Sequence, residues 1–394
     1  MSRLFALALI ALALGSGPTA RADDKPWTNR LTIKSQVLGE ERVALVRTPP
    51  GYDTNDQHYP VLYMTDGDTY IVHTGATIQL LSSRSSRVPE MIVVGITNTN
   101  RTRDLTPTAS KVPGEESGGG GGDNFLKFIE TELIPTIEKN YRTVPYRILA
   151  GHSFGGLLAL HALVTKPDLF NAYLASSPSL QWDKQVEVAK LDEFLKGHTE
   201  LNGTLILTLA NETGDMRTGY DKAKALLGRQ QLKDFTWHSS LMEDEDHGSV
   251  PLRSFNFGLQ RIFEGWQPKQ ETVAKGATAV EEHFKKLSDK YKFTVLPPEG
   301  LMNNVAYRML REGKKEEAIA VFKGNVERYP HSANVYDSLA EAYEKSGKLD
   351  LARANYERAV ELGTKNKDAA LQTYRANFDR VSGALNAPGK TSAK

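Results

Sequence analysis

Cysteine is absent from the 394 residues, which excludes disulfides, thiolate metal sites and a cysteine nucleophile. An excess of either charge is also missing. Lys and Arg number 49 against 48 Asp and Glu, a net +1, and no basic block interrupts that balance. The electrostatic footprint of a nucleic-acid binder is therefore lacking. Long hydrophobic runs are scarce too: the N-terminal stretch Leu4 to Leu14 covers 11 residues, against the roughly 20 that a bilayer span needs. With 40% hydrophobic and 25% charged residues, neither a multi-span membrane protein nor a disordered chain fits. The length leaves room for two or three domains with a sizeable core.

The N-terminal run has another reading. Arg3 precedes it, Gly15, Ser16, Gly17 and Pro18 break it, and Ala20-Arg21-Ala22 offers a small-x-small cleavage pattern. Residues 1–22 are expected to be a secretory signal peptide, which makes the protein secreted or periplasmic. A lipoprotein anchor would need a cysteine. Cleavage removes Arg3 and Arg21 and leaves a net charge of −1.

Residues 30–48 alternate in polarity around Gly39 and read as an opening hairpin. Compact apolar runs follow at Tyr59–Met64, Met91–Ile96, Tyr146–Ala150, Ala172–Ala175, Thr204–Ala210 and Phe235–Leu241. In such runs alternation disappears, as it does in strands covered on both faces. Helical patterns at Asn124–Lys139, Leu157–Val164, Tyr220–Leu227 and Ser254–Phe263 lie between them. Alternating strands and helices predict an α/β fold, a mostly parallel sheet flanked by helices.

From about residue 268 the chain becomes charged, Ala-rich and helical. A shift of 34 residues pairs Gly313 with Gly347, Ala318 with Ala352, Phe322 with Tyr356 and Val326 with Val360. This period and the set Tyr336, Leu339, Ala340, Tyr343, Gly347, Ala352, Tyr356 and Ala359 resemble the tetratricopeptide repeat. Two copies are few for a solenoid, so a helix around Gln372–Phe378 is expected to cap them, or they dock on the first domain. The expected organisation is a signal peptide over 1–22, an α/β domain over 29–267, a helical linker over 268–298, repeats with their cap over 299–380, and a disordered tail over 381–394.

Gly151-His152-Ser153-Phe154-Gly155-Gly156 stands between the strand ending at Ala150 and the helix from Leu157. Strand, sharp turn, serine and helix, with glycines where a Cβ would clash, are the parts of a nucleophile elbow. The Phe154 amide at the helix start then faces the oxygen of a reacting carbonyl. A free hydroxyl is a weak nucleophile, so Ser153 needs a base. His247, between the last strand and the last helix of the α/β part, occupies the slot for it. His238 lies within a strand and His152 beside the nucleophile, where a structural role is expected. The acid should follow the strand Thr204–Ala210, where Glu212 and Asp215 both qualify. A second oxyanion amide is expected at Gly67 or Asp68, in the turn after the strand Tyr59–Met64.

Together with Arg101-Thr102-Arg103-Asp104-Leu105-Thr106-Pro107, the Gly118–Gly122 run, Ser177-Pro178-Ser179 and Asp246-His247-Gly248-Ser249, these residues resemble the putative esterase family of α/β hydrolases, the group that includes enterochelin esterases. The resemblance covers roughly residues 29–266 and implies the α/β-hydrolase fold and a secreted serine esterase. It also implies that the Arg101–Leu105 segment lines the active site. Arg101 and Arg103 could there hold a carboxylate or catecholate, the alternative being a structural pair with Asp104 or another acid. Trp182 could stack on a flat substrate ring or simply pack, and His152 is a further candidate lining residue. The glycine run lacks a following Lys-Ser/Thr, so it predicts close backbone approach or a lid and no P-loop. No metal site and no cofactor are expected. The expected partner is a small-molecule ester, with a protein or peptide at the repeats. An acyltransferase, a peptidase or a non-catalytic repeat adaptor are the alternatives.

Overall fold

The computed structural model describes residues 28–84, 86–229 and 232–386; the expected signal peptide, and residues 387–394 of the expected tail, lie outside them. Eight strands form one sheet in the order β1-β2-β4-β3-β5-β6-β7-β8. Strands β1 (Asn29–Ser35) and β2 (Glu40–Arg47) make the antiparallel hairpin, closed at Gly39 with φ 68°. β2 runs antiparallel to β4 (Ile92–Ile96). β3 (Tyr59–Met64), β5 (Thr143–His152), β6 (Ala172–Ser176), β7 (Glu200–Leu209) and β8 (Lys233–Leu241) continue the sheet in parallel with β4.

The absence of alternation in these runs has a direct cause. In β3, Val61 and Tyr63 enter one hydrophobic cluster while Leu62 and Met64 enter another on the opposite face. Successive side chains point to opposite faces, so a strand buried on both must be apolar throughout. The first face is covered by α2 (Arg101–Leu105), α3 (Gly122–Phe128), α4 (Ile134–Asn140), α5 (Phe154–Thr165), α6 (Trp182–Gly197) and α7 (Gly214–Arg229). A π-helical turn, Ile129–Leu133, joins α3 to α4. The second face is covered by α1 (Gly67–Gln79) and α8 (Val250–Ile262). α8 begins four residues before the apolar pattern at Ser254, because Pro251 in its first turn gives up only an amide that would be unpaired there.

Beyond α8 the helices α9 (Gln270–Ala274), α10 (Ala277–Tyr291), α11 (Glu299–Arg311), α12 (Lys315–Arg328), α13 (Ala333–Lys345), α14 (Leu349–Asn366) and α15 (Leu371–Asn386) follow. The 34-residue shift carries the start of α11 onto that of α13 and the start of α12 onto that of α14. Gly313 and Gly347 both hold the left-handed conformation that closes each pair, at φ 82° and 76°. Phe322 and Tyr356 are both fully buried. Residues 268–298 are no loose connection: Val280, Phe284, Leu287, Tyr291 and Val295 share one buried cluster with Tyr146, Phe263 and Trp266. The last helix runs to Asn386, so 381–386 are helical where a tail was expected.

Candidate active site

Ser153 sits between the last residue of β5 and the first of α5 with φ 61° and ψ −118°, a conformation that a residue with a side chain adopts only under constraint. The glycines around it explain how the turn closes. A Cβ on Gly151 would collide with the Gly155 backbone, one on Gly155 with Thr65, and one on Gly156 with the Ser176 carbonyl and Pro178. The Ser153 amide donates to the Ser176 carbonyl at 3.0 Å, and the Ser179 amide donates to the Ser153 carbonyl at 3.1 Å. The Ser153 and Ser179 hydroxyls lie 3.2 Å apart.

His247 stands on the loop between β8 and α8. Its Nδ1 is 2.6 Å from Oε1 of Glu212, which follows β7. Of the two acids, only Glu212 reaches the imidazole. Asp215 lies in the first turn of α7, its side chain exposed and its carbonyl accepting from Gln185 Nε2 and the Thr218 hydroxyl. The two loops are tied by an Asn211 amide that donates to the Glu245 carbonyl at 3.0 Å. Burial raises the Glu212 carboxyl pKa, but hydrogen bonds from His247, its own backbone amide and Ser177 outweigh burial and hold it below the ordinary glutamate value. Glu212 is thus a carboxylate at neutral pH.

His152 is buried. Its ring lies 4.4 Å from that of His247, and its Nδ1 is 3.0 Å from the Tyr70 hydroxyl. Burial, then the neighbouring His247 and Arg101, push its pKa down to about 4, so it is neutral at physiological pH. Tyr70 and His73 extend these rings along α1 to Phe255 of α8, with His73 stacked on Phe255 at 5.9 Å. His152 therefore backs the imidazole of His247.

The turn between β3 and α1 lies beside the elbow. Asp66 caps α1 in the left-handed region, with φ 53° and only 4% exposure. A Cβ on Gly67 would strike the Gly95 backbone, so the chain passes β4 there only as glycine. The amides of Gly67 and Asp68, like that of Phe154, belong to first helical turns and have no intrahelical acceptor.

The expected substrate contacts fare differently. Arg101 forks onto the Asp66 carboxylate. Arg103 is held by Glu40 at 2.6 Å and by Asp104 at 2.7 Å, within a network that includes the buried Arg42, and so takes the structural alternative. Trp182 takes the packing alternative. It is 2% exposed, its Nε1 donates to the Thr108 carbonyl at 3.1 Å, and its ring meets Phe154 edge-on at 5.1 Å. The glycine run is a strip of close backbone approach: a Cβ on Gly119, Gly120 or Gly121 would meet Thr106, Ala109 or Arg103.

Two features had no sequence signal. Asp183, Lys184 and Gln185 all have left-handed φ, at 45°, 58° and 65°, pinned by Thr108, Glu115 and Thr218. His161, fully buried on α5, lies between Asp123 at 2.8 Å and Glu187 at 3.2 Å. A histidine on an apolar helix face reveals neither partner, because they come from α3 and α6. An open cleft of about 1690 Å³ exists at the other end of the strands, lined by Tyr59, Thr143, Trp266, Phe293 and Tyr329. Neither Ser153 nor His247 borders it. Among the described residues no group of three or more His, Asp and Glu is placed to hold a metal ion, and no helix is long and apolar enough to cross a membrane.

Residues 35–248 match the family model described as Putative esterase. The ferri-bacillibactin esterase BesA of Bacillus subtilis (strain 168) is 35% identical over 169 residues, 39% of this chain and 58% of that protein, which is less than two thirds of its length. The siderophore triacetylfusarinine C esterase of Aspergillus fumigatus is 28% identical over 243 residues, 52% of this chain and 82% of that protein. Among solved structures, an IroE-like serine hydrolase from Shewanella oneidensis superposes with a TM-score of 0.67 at 29% identity, covering 76% of this chain and 99% of its own.

Proposed function

Because the chain belongs to the Putative esterase family, we propose that it is a serine hydrolase that cleaves carboxylic esters through an acyl-enzyme on Ser153. The observation that carries this reading is the 2.6 Å contact of His247 Nδ1 with Glu212, on the loops that follow β8 and β7. A carboxylate on Nδ1 leaves Nε2 as the basic nitrogen, the tautomer a serine base requires. Ser153 Oγ attacks the ester carbonyl and its proton passes to His247 Nε2. The Phe154 amide and that of Gly67 or Asp68 hold the oxyanion. The leaving alcohol takes the proton from His247. Water, deprotonated by the same nitrogen, then attacks the acyl carbon, and the bond to Ser153 Oγ breaks as that oxygen takes the proton back from His247, which releases the acid.

The relatives are described as a ferri-bacillibactin esterase and a siderophore esterase, and an ester of siderophore type is the substrate class they support for this chain. Residues 1–22 read as an export signal, which supports a reaction outside the cytoplasm. The 34-residue equivalence of α11–α12 with α13–α14 supports a tetratricopeptide-like pair that offers a surface to a protein or peptide.

The test is hydrolysis by residues 23–394 of p-nitrophenyl acetate, butyrate and ferulate, and of a siderophore lactone, beside Ser153→Ala. Turnover by the wild type and none by the variant is expected. Equal rates for the two, or none for either, would sink the reading. Feruloyl turnover with an untouched siderophore would remove the substrate class alone.

A further inference from the structure

We infer that Arg101 is a positioning residue that locks the β3–α1 turn to the nucleophile elbow, and that it does not serve as a receptor for anionic substrates; the inference rests on the catalytic reading of Ser153. The guanidinium makes contacts to three residues. Nε donates to Asp66 Oδ1 at 2.6 Å, Nη2 donates to Asp66 Oδ2 at 3.2 Å, and Nη2 also donates to the His152 carbonyl at 3.2 Å. Its plane carbon lies 5.2 Å from the centre of the Phe154 ring. These residues bracket the two sources of oxyanion amides. Asp66 directly precedes Gly67 and Asp68, His152 precedes Ser153, and Phe154 is itself a donor.

The turn needs such a lock. Asp66 is a non-glycine residue held at φ 53°, in the left-handed region that side-chain-bearing residues enter only as single positions. Its side chain is 6% exposed, and a buried charge is tolerated only when it is paired and hydrogen-bonded. Asn98 Nδ2 donates to Oδ1 at 2.6 Å and the Thr65 hydroxyl donates to Oδ2 at 3.4 Å, but among the described residues only Arg101 supplies the opposite charge. The same guanidinium reaches across to the elbow, so the pairing that keeps Asp66 in place also sets its distance from Ser153. Oxyanion stabilisation depends on amides held before the charge develops. An arginine grips a carboxylate through two parallel N–H donors, and here that fork is spent on Asp66.

Arg101→Gln, Arg101→Lys, and Arg101→Gln combined with Asp66→Asn test this in the full chain, with p-nitrophenyl acetate as a neutral ester and the p-nitrophenyl monoester of succinic acid as an anionic one. A positioning role predicts a fall in kcat of about 10²-fold with Arg101→Gln, equal for both esters, and with little change in KM. Arg101→Lys keeps the charge without the fork and recovers only part of kcat. The double variant exceeds Arg101→Gln alone, because no unpaired buried carboxylate remains. A loss confined to the succinyl ester and expressed in KM would overturn the inference in favour of anion recognition, as would wild-type kinetics in Arg101→Gln. If Arg101→Gln does not fold, the same kcat-against-KM split in Arg101→Lys decides. Wild-type turnover abolished by Ser153→Ala upholds the catalytic reading whatever Arg101 does, whereas a wild type inert toward both esters overturns the two together.

Discussion

His247 Nδ1 stands 2.6 Å from Oε1 of Glu212, although 35 residues separate them in the chain. β7 and β8 are neighbouring parallel strands, paired from Glu200 with Lys233 to Leu209 with Leu241. Their exit loops therefore leave the sheet side by side. The carboxylate that faces the imidazole is the one nearer the strand end.

That contact makes Glu212→Gln the informative substitution. It keeps the shape but loses the charge and admits the wrong imidazole tautomer. kcat/KM for p-nitrophenyl butyrate is expected to fall roughly 10²–10⁴-fold. Asp215→Asn, made on the exposed first turn of α7, is expected to leave it unchanged. The reverse order would transfer the role to Asp215.

Acid sensitivity should trace to His152. Its folded pKa of about 4 lies below the ordinary histidine value of 6.5, so between these values the unfolded chain binds a proton that the folded chain refuses. This contribution to stability is complete above pH 6.5 and is lost as pH falls toward 4. Across the full interval from about 4 to 6.5 its size is on the order of 3 kcal/mol. Urea unfolding at pH 7 and pH 4.5 should show a smaller acid loss for His152→Gln than for the wild type. His73, whose pKa burial also lowers, acts in the same direction but is common to both proteins. An identical pH slope in the two proteins would exclude His152 as the source.

The network around Asp104 should matter for stability and little for catalysis. Arg42 Nη1 lies 2.5 Å from Asp104 Oδ2, and both side chains are at most 3% exposed. Asp104→Ala leaves the Arg42 charge buried without this partner, at a cost of about 3–5 kcal/mol. Arg103, 35% exposed, should cost about 1 kcal/mol or less when replaced by Gln. Chemical denaturation measures both, and a large rise in KM with Arg103→Gln would restore it as a substrate contact.

The helical region should be inseparable from the hydrolase core. The Tyr291 ring lies 5.4 Å from those of Tyr146 and Phe263 and 5.6 Å from that of Trp266, and its hydroxyl donates to the Ile262 carbonyl at 3.0 Å. Tyr291→Ala is expected to lower stability by roughly 3–5 kcal/mol. Truncation after residue 267 is expected to give an aggregating product, because it exposes Tyr146, Phe263 and Trp266. A soluble, cooperatively unfolding truncate would show that α10 is dispensable.

The amino-acid sequence by itself determined the strands, the elbow and the candidate base. Two-sided burial writes itself as unbroken apolar runs, and the Gly-x-Ser-x-Gly turn needs glycine at named positions whatever surrounds it. The 34-residue period likewise anticipated the equivalent starts of α11 with α13 and of α12 with α14. Only the tertiary structure brings Glu212 to the His247 imidazole and leaves Asp215, three residues on in the first turn of α7, exposed, because less than one helical turn separates facing the imidazole from facing water. It also decided that Arg101 and Arg103 are spent on Asp66, Glu40 and Asp104, that Trp182 packs against Phe154, and that His161 lies between carboxylates from two other helices. Sequence patterns record backbone conformation and the buried face of each element. Which side chains meet across elements depends on strand order and helix placement, and these exist only once the chain has folded.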